Sequence, residues 1–415
     1  MKVGIVNTFD NVGGAARAAY RLHEGILKSG NYSTMFVQKK LTEDPNVIGP
    51  NSKLQKFKSL IYPSLSSVPL KLYPKREKRT FSTGLLNSTN IKKITQDLDV
   101  LNFHWTSAGF QSIKSISQVK KPLVLTLHDS WAFTGGCHVP FDCEKFTDKC
   151  GKCMQLNSRK NTDLSSLIWK KKQGLLHNKD LVLVGDGNWV ADNARRSSIF
   201  KNHRIEVIHP GLDLNIFKPI NKKSSREILG IKESEIIILF GAISPTGDYN
   251  KGFHLLMPAL KNLARTYKDT DNLKLIVFGA SSPEQSNIDV GIKTRYVGKL
   301  NDDISLSILY SAADVMIVPS IQECFGQTAS ESFACGTPVV AFKTSGLKDI
   351  IDHKLNGFLA NPFDSNDLAS GIKWVLSDSS RLKGLGMEAR KKAVNCFGID
   401  KYVHEYLKVY ESIIK

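Results

Sequence analysis

The stretch DVMIVPSIQECFGQTASESFACGTPVVAF, residues 314–342, decides the fold. Its first apolar run, VMIV, reads as a buried strand closed by Pro319, and a loop carrying Glu323, Cys324, Phe325 and Gly326 follows. A helix then starts near Gln327, contains Glu331 and is stopped by Gly336 before a second apolar run, PVVAF. Strand, loop, helix and strand in such close succession make a parallel-sheet unit. The helix N-terminus therefore lies at the carboxyl end of a strand, where unpaired N–H groups and the positive dipole end favour an anion such as a phosphate. Glu331 and Glu323 can each accept hydrogen bonds from hydroxyl groups, one from a ribose and one from a sugar ring, with a diphosphate between them. Read alone, the same pair is equally a solvated Glu331 and a helix-capping Glu323.

Working outward, the same alternation fills the chain. Strand-like runs fall at residues 2–7, 99–103, 122–127, 181–184 and 205–208, then at 236–240, 273–278 and 338–341. Helical patterns lie between most of them, at 15–29, 252–267, 304–313 and 367–376, with a last one at 401–414. This predicts an α/β protein with parallel sheets and helical crossovers. The segment HPGLDLNIFKP breaks the pattern near the middle of the 415 residues. The expected organisation is an N-terminal Rossmann-like domain over 1–210 and a C-terminal one over 211–398. Residues 399–415 form a helix expected to pack back toward the first domain. Two doubly wound domains facing a central cleft would hold ligand at the carboxyl ends of their strands.

Composition sets the class. With 41% hydrophobic and 23% charged residues the chain is globular rather than disordered. No apolar run is long enough to span a bilayer, and the opening MKVGIVNTF reads as a strand rather than a secretory signal. Seven cysteines without scaffold spacing favour a reducing compartment, so a cytoplasmic protein is expected. The net charge of +18 is uneven: residues 51–93 hold ten Lys or Arg against the single acid Glu77. Apolar anchors, among them Leu54, Phe57, Leu60 and Tyr62, are interleaved with those cations. Such a stretch suits the anionic inner face of a membrane, or is simply a solvated excursion of a basic protein; no nucleic-acid module accompanies it. Within a Cys-rich insertion at 134–157, Cys137, Cys143, Cys150 and Cys153 follow a C-x5-C-x6-C-x2-C spacing. Four thiols in one loop point to a possible structural zinc, with plain loop cysteines as the alternative. Cys324, Cys335 and Cys396 are dispersed and read as small buried hydrophobes.

The strand–loop–helix frame with Glu323 and Glu331 eight residues apart, followed by ACGTPVVAF, resembles the retaining GT4-type glycosyltransferases of GT-B fold, including those of polysaccharide biosynthesis. AISPTGDYNKGF resembles the family's diphosphate-binding Lys-Gly element and puts Lys251 in the Lys position; the usual Arg after the preceding glycine is absent, Ala242 following Gly241. YVGKLNDD resembles the loop that cradles the base through backbone atoms, which implies donor contacts at Val297, Gly298 and Leu300. GFLANPFD is similar to a late nucleotide-side loop. In the first half, Gly13 and Gly14 open a helix and Gly14 can approach the donor, with Arg17 a further anion contact or a solvated residue. VLTLHDSW puts His128 where the family has its sugar-contacting histidine. His104 and Trp105 end the preceding strand and shape an acceptor pocket or simply pack.

The resemblance implies a hexosyltransferase that takes a UDP- or GDP-sugar, retains anomeric configuration and needs no cofactor for catalysis. It implies His128, Lys251 and Glu323 as catalytic residues, and Phe325, Gly326 and Glu331 as further donor contacts. The acceptor is expected to be a saccharide, lipid-linked at the membrane face. The alternatives are a non-catalytic scaffold that binds nucleotide sugar, and a nucleotide-sugar epimerase of the same fold.

Overall fold

The structure is a computed structural model and describes residues 1–91, 95, 97–242, 244–280, 290–300 and 302–414. Lys92 and Lys93 of the basic stretch, Ile243 of the Lys-Gly element and Asn301 of the base loop lie outside the described residues. The chain divides into two compact units: Met1–Gly211 with Tyr402–Lys415, and Leu212–Lys401.

The first unit runs β1 (Lys2–Phe9), α1 (Gly14–Lys28), β2 (Tyr32–Lys39), β3 (Val47–Ile48), α2 (Lys53–Ser66), β4 (Val100–Phe103) and α3 (Ile113–Ser117). It continues with β5 (Leu123–Leu127), α4 (Leu164–Leu176), β6 (Val182–Gly185), α5 (Asn188–Arg196) and β7 (Arg204–Val207). The seven strands pair in the order β3-β2-β1-β4-β5-β6-β7, all parallel. The order reverses between β1 and β4, the switch point at which doubly wound sheets take ligands.

The second unit runs α6 (Lys222–Leu229), β8 (Ile236–Gly241), α7 (Phe253–Thr266), β9 (Leu273–Phe278), β10 (Lys293–Gly298), α8 (Asp303–Ala312) and β11 (Val315–Val318). Then come α9 (Gln327–Ala334), β12 (Val339–Phe342), α10 (Leu347–Ile350), β13 (Gly357–Ala360), α11 (Ser365–Leu376) and α12 (Ser379–Cys396). Its six parallel strands pair as β10-β9-β8-β11-β12-β13, with the switch point between β8 and β11. The central strands read as unbroken apolar runs because both faces are covered. Leu239, Met316, Val318, Val339 and Ala341 enter one core, while Phe240, Val315, Ile317, Val340 and Phe342 enter the other.

α13 (Ile399–Ile413) closes the chain, and from Tyr402 on it belongs to the first unit. Asn102 Nδ2 donates to the Tyr410 hydroxyl at 2.7 Å, and Thr126 Oγ1 lies 2.9 Å from the Tyr406 hydroxyl. These bonds satisfy polar groups of β4 and β5 that are otherwise buried in the core. Strands β2, β3, β10 and β13 were not foreseen. β10 is an edge strand whose lysine and arginine face solvent, and β3 is only two residues long. β13 falls within GFLANPFD, read above as loop.

Candidate active site

At the switch point of the second unit, β8 and β11 each end in a polar loop, and two short segments meet there. After β8, a single helical turn over Tyr249–Lys251 delivers Lys251, and Gly252 follows in the left-handed region at φ 70°. A Cβ on Gly252 would lie 1.8 Å from the Pro319 carbonyl oxygen, so only glycine lets this turn press against the end of β11. Asn250 then ties the loops together: its backbone oxygen accepts from Ile321 N–H at 2.9 Å, and its side-chain nitrogen donates to Gln322 O at 2.7 Å. The result places Lys251 Nζ 2.6 Å from Glu323 Oε1. Ser320 Oγ donates to the same carboxylate oxygen at 2.8 Å, and Glu323 N–H donates to Ser345 Oγ at 2.8 Å. Burial opposes the charge on Lys251, but the Glu323 carboxylate, with Asp248 behind it, outweighs burial and holds the ammonium above its ordinary range.

Gly326, at φ 111°, starts α9, whose first N–H groups open at the carboxyl end of β11. Glu331 is 3% exposed on that helix, and one of its oxygens accepts from the Tyr310 hydroxyl at 3.0 Å. Phe325 is packed edge-on against Phe397 in the core, so its backbone rather than its ring borders the loop. Val297 and Leu300 pack partly on the same core, and Gly298 turns at φ 72° with open space beside it. Lys251 and Glu323 are thus paired beyond the ends of β8 and β11, with Gly326 three residues after Glu323, while Glu331 is buried within α9 against Tyr310. Asn250, Ser320 and Ser345 went unread in the sequence; the Gly252 turn that places Asn250 is the signal that would have found it.

In the first unit Gly14 is exposed at the start of α1, directly after β1. His104, His128 and Asp186 follow the ends of the adjacent strands β4, β5 and β6. His128 Nδ1 lies 2.6 Å from Asp186 Oδ2, and His128 Nε2 lies 2.8 Å from His104 Nδ1. Burial, reinforced by His128, holds the His104 pKa well below its ordinary value. Beside them His138 Nδ1 sits 2.6 Å from Asp129 Oδ2 and its Nε2 is 2.8 Å from Ser82 Oγ. Trp105 stacks on Phe9 with ring centroids 6.3 Å apart. Asp186 was missed: a single acid after an apolar run carries no signal until the sheet brings it beside His128.

Cys137, Cys143, Cys150 and Cys153 are free thiols. Burial pushes Cys137 and Cys153 upward and Cys150 to about 12, and the neighbouring thiols add to each shift. Among the described residues no three His, Cys, Asp or Glu side chains are grouped to hold a metal ion. The charge beside this loop is instead Lys172 of α4, buried, which donates to the carbonyls of Trp131 and Thr134 and sits 3.9 Å above the Trp131 ring centroid. Burial lowers its pKa to about 7, against the pull of Cys137, Cys150 and Asp129.

Comparison with known proteins covers both halves. The family described as glycosyltransferase family 4 matches residues 12–216, and that described as glycosyl transferases group 1 matches residues 221–392. An uncharacterised glycosyltransferase of Methanocaldococcus jannaschii is 30% identical over 220 residues, 50% of this chain and 54% of its own length. A D-inositol 3-phosphate glycosyltransferase of Geodermatophilus obscurus is 33% identical over 221 residues, 50% of this chain and 47% of its own. The chain thus spans about half the length of the curated relatives it matches. Among solved structures, sucrose-phosphate synthase of Thermosynechococcus elongatus aligns over 99% of both chains with a TM-score of 0.70 at 20% identity. The Anabaena protein HepE, crystallised with UDP and glucose, aligns over 99% of this chain and 100% of its own with a TM-score of 0.67 at 16% identity. With a match on each half and one shared two-unit fold, the chain belongs to the GT4-type, group 1 glycosyltransferases of GT-B fold.

Proposed function

We propose that this chain transfers a hexose from a nucleotide sugar, UDP- or GDP-linked, to a saccharide acceptor with retention of configuration. The observation that carries the reading is the Lys251–Glu323 pair at the β8/β11 switch point, beside the N-terminus of α9. A donor diphosphate there would take the unused hydrogens of the Lys251 ammonium and the N–H groups that follow Gly326. As the bond to the anomeric carbon breaks, negative charge grows on the leaving phosphate, and this fixed cation and helix dipole stabilise it without rearranging. Glu323, held by Ser320 and Lys251, is oriented to accept from sugar hydroxyls, and Glu331, fixed by Tyr310, is the acceptor for the ribose. Gly298, the last residue of β10, and its flanking backbone would face the base. HepE, whose crystals hold UDP and glucose, supports a donor of this class.

The acceptor half of the reading rests on α2. None of its residues is buried; Leu54, Phe57 and Leu60 are exposed beside Lys53, Lys56 and Lys58. A helix with both features suits an anionic lipid surface, where a lipid-linked saccharide would be met. The test is to supply UDP- and GDP-hexoses with a bacterial lipid extract and read the product by proton NMR. An α-linked hexose from an α-linked donor is the expected product. Donor binding without turnover in any extract would instead mark a non-catalytic nucleotide-sugar scaffold.

A further inference from the structure

In the second unit, β11 keeps its neighbours after its regular ladder ends. Past Pro319 the chain runs on through residues 321–323, between the loops that follow its two sheet partners, β8 and β12. Those strands have ended at Gly241 and Phe342, yet the polar backbone groups of the stretch find partners. On the β8 side, Ile321 N–H donates to the Asn250 carbonyl at 2.9 Å. The Asn250 side chain then pairs with Gln322 as a peptide group would. Its Oδ1 accepts from Gln322 N–H at 3.1 Å, and its Nδ2 donates to Gln322 O at 2.7 Å. On the β12 side, Ser345 Oγ accepts from Glu323 N–H at 2.8 Å, and Gly346 N–H donates to Glu323 O at 2.9 Å. An amide and a hydroxyl thus stand in for the strands that have ended. Ser345 does this from a strained backbone: it is buried and adopts φ 39°, in the left-handed region where a Cβ is crowded. Glycine would relax there but has no hydroxyl for Glu323. The next two residues hold the loop in place. A Cβ on Gly346 would lie 2.3 Å from Cys324 O, and one on Gly326 would lie 2.9 Å from Leu347 Cδ2.

We propose that Ser345 and Asn250 are positioning residues for glycosyl transfer. By carrying the sheet past β11 through their side chains, they fix the backbone of Glu323 so that its carboxylate meets Lys251 Nζ at 2.6 Å. The strained serine is retained because relaxing it to glycine releases Glu323. That this positioning serves catalysis rests on the reading of Lys251 and Glu323 as the donor site; the tie from Ser345 to Glu323 does not.

The test has a ligand-free arm and an enzymatic arm, both on the full-length protein. In the first, amide hydrogen exchange is read by NMR with nitrogen-labelled glutamate and glutamine. Ser345→Gly relieves the backbone and removes the acceptor, so Glu323 N–H should exchange about tenfold faster while the folding midpoint stays within about 2 °C. Ser345→Asn tolerates the left-handed region and keeps a side-chain acceptor, so it should restore part of the protection. Asn250→Ala should release Gln322 N–H before Glu323 N–H. In the second arm, transfer from UDP-glucose and from GDP-mannose is followed with the lipid extract. Ser345→Gly should lower kcat by about tenfold or more with the donor KM within about threefold, and Ser345→Asn should recover part of the loss. Unchanged exchange at Glu323 in Ser345→Gly overturns the proposal. Native kcat with the amide released overturns it too, as does a loss of activity that only follows a fallen folding midpoint. A native protein that turns over neither donor, with the exchange pattern as expected, would count against the donor-site reading alone.

Discussion

Lys251 gathers the site's chemistry into one side chain. Its partner Glu323 is largely enclosed, so truncating the lysine would strip the proposed diphosphate site of its cation and leave a carboxylate with only Ser320. Lys251→Ala should lower kcat/KM by about 100-fold or more, the scale of losing one preorganised charge, while Lys251→Arg recovers only part. Steady-state kinetics check this, and an unchanged Lys251→Ala would remove the residue from the site. Lys172 tests a different physics. Its folded pKa of about 7 lies below the unfolded value near 10.4, so between those pH values the unfolded chain binds the extra proton. Stability should therefore rise with pH across that window, with a slope approaching ~1.4 kcal/mol per pH unit from this group. Urea unfolding at pH 7 and pH 9 should show the rise in the native protein and its loss in Lys172→Met.

Among the elements, the Cys-rich loop and α2 stand apart. Cys137 and Cys335 are buried, whereas Cys143, Cys150, Cys153, Cys324 and Cys396 are partly exposed. Thiol titration of the native, reduced protein should label the second group first and reach Cys137 and Cys335 only on unfolding; early labelling of Cys137 would mean the loop opens. For α2, Leu54→Ser, Phe57→Ser and Leu60→Ser together should abolish flotation with anionic vesicles and leave the folding midpoint nearly unmoved, because these side chains already face solvent. Flotation unaffected by the triple change, or by neutralising Lys75, Arg76, Lys78 and Arg79, would sink the membrane reading.

For the whole molecule, what was legible follows from which contacts are local. The β11–α9–β12 unit lies within residues 314–342, and its apolar runs, glycine stop and strand-end loop all sit in register with the observed elements. β10 was not legible because an edge strand pays no penalty for its charged side chains. Asp186 was not legible because it stands 58 residues from His128 in the chain, and only the order β4-β5-β6 makes them neighbours. Lys251 and Glu323, 72 residues apart, were read separately from their own motifs; their ion pair is a product of the fold.

The measurement that bears most directly on donor binding at the β8/β11 switch point is the thermal shift of the purified protein with UDP-, GDP-, ADP- and dTDP-sugars, repeated on Lys251→Ala and Glu331→Ala. A ligand that binds only the folded state raises its stability by RT ln(1 + [L]/Kd). The expected result is a shift with one base class, UDP or GDP, that is lost in both variants. A shift that survives both substitutions, or none with any nucleotide sugar, would contradict the account.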